Sequence, residues 1–246
     1  MSQGKTSSFR VTRHVLAWSI LFLPLTSIKG MTVTNSYEKA FGSRVIFVEF
    51  KSNEIRGFSI RDVPVWKKGD NVMNYWNGHD DEMIINGGFY QPDFLPLGLC
   101  RIDGVTIGSG RANRRSGFVA IDSNGSMRLL TRKDDRARYK TILQSGPYVI
   151  DPGGVIGIQE GSKTNDFPAR RTLVGTKNDK SIIVMSTGPI TLYNLARAVK
   201  IRFPEIDRLL DLDGGPSTAL VTGVTAVTNG KPVRNYIVKK IGNKLK

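Results

Sequence analysis

Cysteine is nearly absent, with Cys100 alone among 246 residues, so neither an intrachain disulfide framework nor a Cys-rich zinc site can form. Placed after Leu97-Gly98-Leu99, Cys100 reads as a small buried residue. Histidine is almost as scarce, and His14 and His79 are the only two. A Ser-His-Asp hydrolase would have to rest on His79, and a multi-histidine metal centre has too few ligands. Acidic residues are outnumbered, 21 against 36 Lys+Arg, for a net charge of +15. Long apolar runs are missing too. Val15 to Leu25, interrupted by Ser19, is 11 residues, short of the roughly 20 that span a bilayer as a helix. A stable transmembrane span is therefore not expected. The 26 glycines follow no G-X-Y period, which excludes collagen and assigns them to turns.

What the amino terminus does have is Arg10 and Arg13 ahead of that apolar run, with no acidic residue before Glu38. This is the order of a secretory signal, although Thr26-Ser27-Ile28-Lys29-Gly30 lacks a clean A-x-A-like cleavage site. Residues 1–30 are read as a signal peptide or amino-terminal hydrophobic segment, and 31–246 as one domain. A signal would place the protein in the periplasm or outside the cell; otherwise it would be membrane-associated or cytoplasmic. Without the four basic residues Lys5, Arg10, Arg13 and Lys29, the remainder still carries +11. Such a body attracts polyanions, whether nucleic acid, anionic lipid or phosphorylated glycan. Basic clusters occur at Arg111 to Arg115, at Arg128 to Lys140 and at the carboxy terminus, but no recognition helix, paired zinc ligands or RRM-like aromatic string accompanies them.

From Met31 onward, short apolar runs alternate with Gly/Asn/Asp turns, which predicts an α+β fold with a mostly antiparallel or mixed β-sheet core and a few packed helices. Asn124-Gly125 between Phe118–Ile121 and Met127–Leu130 predicts one hairpin. Arg171–Thr176 and Ser181–Met185 predict another. Thr191 to Phe203 reads as a helix with Leu192, Leu195, Ala196 and Val199 on one face, capped by Thr191 and stopped by Pro204. A short helix is also suggested around Asn71 to Trp76, and Ser217 to Val221 fits either a helix or a strand.

Four polar islands lie in apolar or glycine-rich surroundings. At Asn86-Gly87-Gly88-Phe89-Tyr90, a strand runs into a turn whose Asn86 amide and backbone N–H groups can converge on a ligand, or that simply closes a hairpin. Gln144-Ser145-Gly146-Pro147 is not a G-x-S-x-G elbow, and Ser145 reads as a turn residue more readily than as a nucleophile. Arg170-Arg171-Thr172 offers a bidentate clamp for phosphate or carboxylate, or plain surface charge. In Asp211-Leu212-Asp213-Gly214-Gly215-Pro216-Ser217, the two carboxylates share a face if the segment is a strand. That pair can raise one pKa into the general-acid range, hold a divalent cation, or be ordinary turn carboxylates. The spacing matches neither an EF-hand nor a P-loop.

In order and spacing the four islands together resemble the phosphodiester glycosidase family, over roughly residues 40 to 240. The resemblance implies hydrolysis of a sugar-1-phosphodiester on an anionic or phosphorylated glycan, including cell-envelope polymers. It implies Asp213, Asn86 and Arg171 as catalytic residues, with Gly87, Gly88, Ser145, Gly214, Gly215 and Ser217 around the substrate. Arg171 would bind the phosphate and Asn86 would orient an oxygen. Asp213 would be the acid/base or, with Asp211, would anchor a divalent cation. Glycosidases usually need a second carboxyl group, for which Asp211 is nearest and Asp151 another candidate. Two positions depart from the family pattern: Tyr90 stands where a second Phe is common, and Pro216 where a third Gly or a small residue is common. The competing reading is a non-catalytic binding domain for anionic phosphoglycans or for nucleic acid.

Overall fold

The computed structural model describes residues 21–22, 26–28, 31–38, 42–50, 56–78, 81–108, 112, 115–163, 166–177 and 180–240. Both histidines lie outside these residues, as does most of the expected signal segment. Along the chain the strands are β1 (Leu21–Phe22), β2 (Thr26–Ile28), β3 (Met31–Glu38), β4 (Ser43–Phe50), β5 (Phe58–Asp62), β6 (Asp81–Asn86), β7 (Cys100–Ile102) and β8 (Val105–Thr106). There follow β9 (Gly117–Ile121), β10 (Met127–Thr131), β11 (Thr141–Ser145), β12 (Tyr148–Asp151), β13 (Val155–Ile156), β14 (Thr172–Lys177) and β15 (Lys180–Ser186). After helix α1 (Leu192–Arg202) come β16 (Arg208–Asp211), β17 (Leu220–Thr222), β18 (Thr225–Val227) and β19 (Asn235–Lys240).

Among the described residues the strands form three sheets, and the pairings within them are antiparallel. The first has the order β1-β3-β4-β15-β14-β16-β12-β13, with β2 on β3; the second is β10-β9-β11-β7-β8; the third is β18-β17-β6-β19-β5. The middle strands of the first sheet are buried on both faces, and their sequence alternates accordingly. Val45 and Phe47 of β4 and Ile182 and Val184 of β15 pack with α1, whereas Ile46, Val48, Ile183 and Met185 enter a central core. Val119, Leu143, Ile85 and Ile237 of the other two sheets meet them there. The period of two thus sorts one strand's side chains into two different cores.

Both expected hairpins form, Ile121 pairing with Met127 and Thr172 with Met185. The helix forms within the expected limits: the Thr191 hydroxyl accepts from the Asn194 amide at 3.2 Å, and Leu192, Leu195, Ala196 and Val199 are buried. At its end Phe203 meets Phe47 edge to face, with ring centroids 5.5 Å apart. Asn71 caps a 3-10 turn at Val72–Tyr75. The ambiguous segment after Asp213 is a 3-10 turn at Gly215–Ser217 followed by strand β17, because Leu220 and Val221 pair with β6. Cys100 is buried, and burial pushes its thiol up to about 12. Among the described residues no helix is long and apolar enough to cross a membrane.

The Thr191 cap is separable from the rest of the fold. Thr191→Ala is expected to lower stability by about 1 kcal/mol in urea denaturation, and a change under about 0.3 kcal/mol would show that the α1 contacts alone fix the helix start.

Candidate active site

The four islands converge at one corner of the fold, each because a strand ends there. Asn86 closes β6, Ser145 closes β11, Arg171 precedes β14, and Asp211 closes β16. Antiparallel register does the assembling: Leu173 faces Asp211 across β14 and β16, which puts Arg171 and Asp211 at the same sheet end. The Arg171 Nη1 lies 3.9 Å from the Asp211 carboxylate. Behind them the Ser145 hydroxyl donates to the Asp211 carbonyl at 2.7 Å, and the cis Gly146–Pro147 peptide follows.

Asn86 is the hub. Its Oδ1 accepts from the Thr172 hydroxyl at 2.7 Å and from the Ala219 amide at 3.0 Å, while its Nδ2 donates to the Asp213 carbonyl at 2.6 Å. Fully buried, the side chain therefore spends its hydrogen bonds on three separate chain segments. The adjacent glycines permit close packing. A Cβ on Gly87 would collide with the Asn235 side-chain oxygen, and one on Gly214 would lie 2.8 Å from the Arg170 carbonyl. Their amides are engaged within the protein: Gly87 donates to the Asn235 carbonyl, Gly88 to Asn235 Oδ1, Gly214 to Asp213 Oδ1 and Gly215 to the Arg170 carbonyl.

Leu212 is buried in the central core, and Asp211 and Asp213 flank it. Asp211 is 3% exposed, and burial pushes its carboxyl up to about 7 against the pull of Arg171 and Arg115, with Asp213 adding to the rise. Asp213 is more open. Burial raises it to about 6, while the Ser217 hydroxyl, the Gly214 amide and Arg115 hold it down. Two guanidiniums thus face two carboxyl groups in a poorly hydrated corner, the environment in which charges act strongly on one another. Arg171, 6% exposed, donates to the Phe167 carbonyl at 2.6 Å. Its Nε and the Asp211 Oδ1 have no protein hydrogen-bond partner. Among the described residues no third His, Cys, Asp or Glu joins the pair to form a cation site.

Two residues of this corner escape a reading of the four islands as candidate catalytic groups. Arg115 lies over the Phe89 ring, 3.4 Å from its centroid, and donates to the Gly146 carbonyl at 2.6 Å. Its sequence signal was only membership of a basic cluster. Burial together with the Asp213 charge raises the Tyr90 pKa, against a lowering influence of nearby Ser217. Tyr90 closes the Asn-Gly-Gly run, which was its one signal. Asp151 is not part of the site: it ends β12 at the far side from Tyr148, beside Gly157. Arg170 is a brace, donating to the carbonyls of Gly215 and Thr218 at 3.0 Å each.

A family model described as phosphodiester glycosidase matches residues 79–243. An uncharacterized Escherichia coli K12 protein, YigE, is 28% identical over 152 residues, 58% of this chain and 59% of its own length. The chain thus spans under two thirds of that relative. Among solved structures, the catalytic domain of zebrafish N-acetylglucosamine-1-phosphodiester alpha-N-acetylglucosaminidase superposes with a TM-score of 0.64 at 15% identity, covering 97% of this chain and 87% of that one. A hypothetical protein from Synechocystis gives 0.56 at 16% identity, over 88% and 63%.

Removing the hub leaves the Thr172 hydroxyl and the Ala219 amide without an acceptor. Asn86→Ala is expected to cost about 2–5 kcal/mol in denaturant titrations, and a loss below about 1 kcal/mol would contradict its bridging role. The Asp211 carboxyl makes a different prediction. In the unfolded chain it titrates near 3.8 and in the folded chain near 7, so the folded state binds more protons between those values and stability falls as pH rises through them. Asp211→Asn removes that slope. The variant should gain on the order of 1–3 kcal/mol relative to the parent between pH 5 and pH 8, and a pH-independent difference would refute the buried-acid assignment.

Proposed function

The chain belongs to the phosphodiester glycosidase family, and from that premise we propose that it hydrolyses a sugar-1-phosphodiester on an anionic glycan, with Asp213 as the catalytic base. The observation that carries the reading is the meeting of Asp211 and Asp213 with Arg171 and Arg115 at one partly open corner. The basic body of the chain favours a negatively charged substrate.

In the reaction, water attacks the anomeric carbon and gives its proton to the Asp213 carboxylate. The bond between that carbon and the phosphate oxygen breaks with its electron pair leaving on oxygen, so a free sugar and a phosphate monoester are released. A phosphate monoester is a stable leaving group, and its departure needs positive charge more than a strong acid. Arg115 and Arg171 supply that charge from fixed positions. With its pKa near 6, Asp213 is mainly ionised at neutral pH and still basic enough to take a proton. The Gly214 amide aims its carboxylate, donating to Oδ1 at 2.8 Å. Asp211 acts one step back, holding Arg171. Asn86, Gly87 and Gly88 set the backbone frame in which Asp213 sits, since the Asp213 amide donates to the Gly87 carbonyl at 3.0 Å.

Asp213→Asn should lower kcat/KM on a sugar-1-phosphodiester by about 10²–10⁴-fold with an unchanged unfolding transition. The parent's kcat/KM should rise with pH through about 6 as Asp213 ionises. A chelator should leave the rate unchanged, because the donor set is two acids facing two guanidiniums. Full activity of the Asp213→Asn protein would overturn the base assignment, and loss of activity on chelation would restore a divalent cation to the site.

A further inference from the structure

We propose that the exposed ring of Phe167 is the platform on which the substrate's sugar stacks, an inference that rests on the phosphodiester glycosidase reading. A single exposed apolar residue is ordinary, and exposure alone says nothing. Phe167 differs in where it is and in how it is held. It is 51% exposed, the one aromatic among the large apolar side chains exposed to such a degree in the described residues. The Arg171 guanidinium lies over its ring at 4.7 Å from the centroid, and the same guanidinium donates to the Phe167 carbonyl and faces Asp211. The phenyl therefore stands against Arg171, the guanidinium that faces Asp211.

The segment that carries the ring is held in place. On one side, buried Asp166 accepts from the Gly161 amide at 2.8 Å and from the Tyr193 amide in the first turn of α1 at 2.9 Å. On the other, Ala169 and Ile190 exchange backbone hydrogen bonds of 3.2 and 2.9 Å. The segment is thus pinned at both ends, and a solvent-facing phenyl is kept where it adds little to the core. Arg171 takes one face of the ring and the solvent-exposed remainder is left to a ligand. A pyranose has an apolar face of C–H bonds that packs on a phenyl ring, whose large apolar area and few rotamers suit it to such contacts. With the phosphate drawn to the guanidiniums, the sugar attached to it falls within reach of that ring.

The test is calorimetric titration of the full chain and its Phe167→Ala and Phe167→Trp variants with N-acetylglucosamine 1-phosphate, glucose 1-phosphate, uridine monophosphate and inorganic phosphate, beside kinetics on a sugar-1-phosphodiester. The parent should bind the sugar phosphates more tightly than inorganic phosphate. Phe167→Ala should weaken sugar phosphate binding about tenfold, leave inorganic phosphate unchanged, and raise KM about tenfold with kcat within about twofold; Phe167→Trp should restore binding. Equal weakening toward all four ligands would mean that the ring acts only through Arg171, and would overturn the proposal. It would equally fall if the Phe167→Ala protein kept the parent's affinities, if the parent showed no preference for sugar phosphates, or if the ring governed uridine monophosphate alone. Ring-dependent sugar phosphate binding without any hydrolysis by the parent would uphold the platform and sink the catalytic reading instead.

Discussion

The Asn86 side chain is the joint on which the site depends. It ties the end of β6 in the third sheet to Thr172 of the first, to the Asp213 carbonyl and to Ala219. A parallel stitch, from the Ser145 hydroxyl to the Asp211 carbonyl, joins the second sheet to the first. Three sheets packed through apolar side chains alone could slide by a fraction of an ångström at little cost. Directional hydrogen bonds between buried groups cannot, because breaking one leaves a polar atom without water to replace its partner. Asparagine suits the position because it donates and accepts at once with no net charge.

That rigidity is what allows two acids to be held next to one another. Asp211 is desolvated and close to Asp213, and both effects oppose its ionisation. Arg171 and Arg115 oppose them, though their own charges are disfavoured by the same burial. The corner is therefore electrostatically balanced without being relaxed, and an arriving phosphate would add anionic charge where the guanidiniums are short of it. Asp213 sits at the open edge of this arrangement and Asp211 at its closed end, so the two neighbouring carboxyl groups differ in their access to solvent.

Much of this was legible in the sequence because it depends on local rules. The two hairpins, the Thr191-capped helix and the four islands follow from turn chemistry and periodicity, and the order of the islands carries the family resemblance. What the sequence hid was long-range pairing. Asn86, Gly87 and Ser145 read as groups that meet a ligand, yet their polar atoms are engaged with Thr172, Asn235 and Asp211, which lie far along the chain. Arg115 was lost among neighbouring arginines, since charge density does not tell which one lies over Phe89. Asp151 beside Gly153-Gly154 resembled a second acid, but β12 carries it to the other end of the strand. Ser217 to Val221 was too short for periodicity, and pairing with β6 decided it.

The most direct test is the fate of the attacking oxygen. Hydrolysis of a sugar-1-phosphodiester by the full chain in water enriched with heavy oxygen, followed by mass spectrometry of both products, locates the bond that breaks. Attack at the anomeric carbon places the label in the free sugar and leaves the phosphate monoester unlabelled. Label in the phosphate would show attack at phosphorus, and would contradict cleavage at the anomeric carbon and with it the arginines as the charge that stabilises a leaving phosphate.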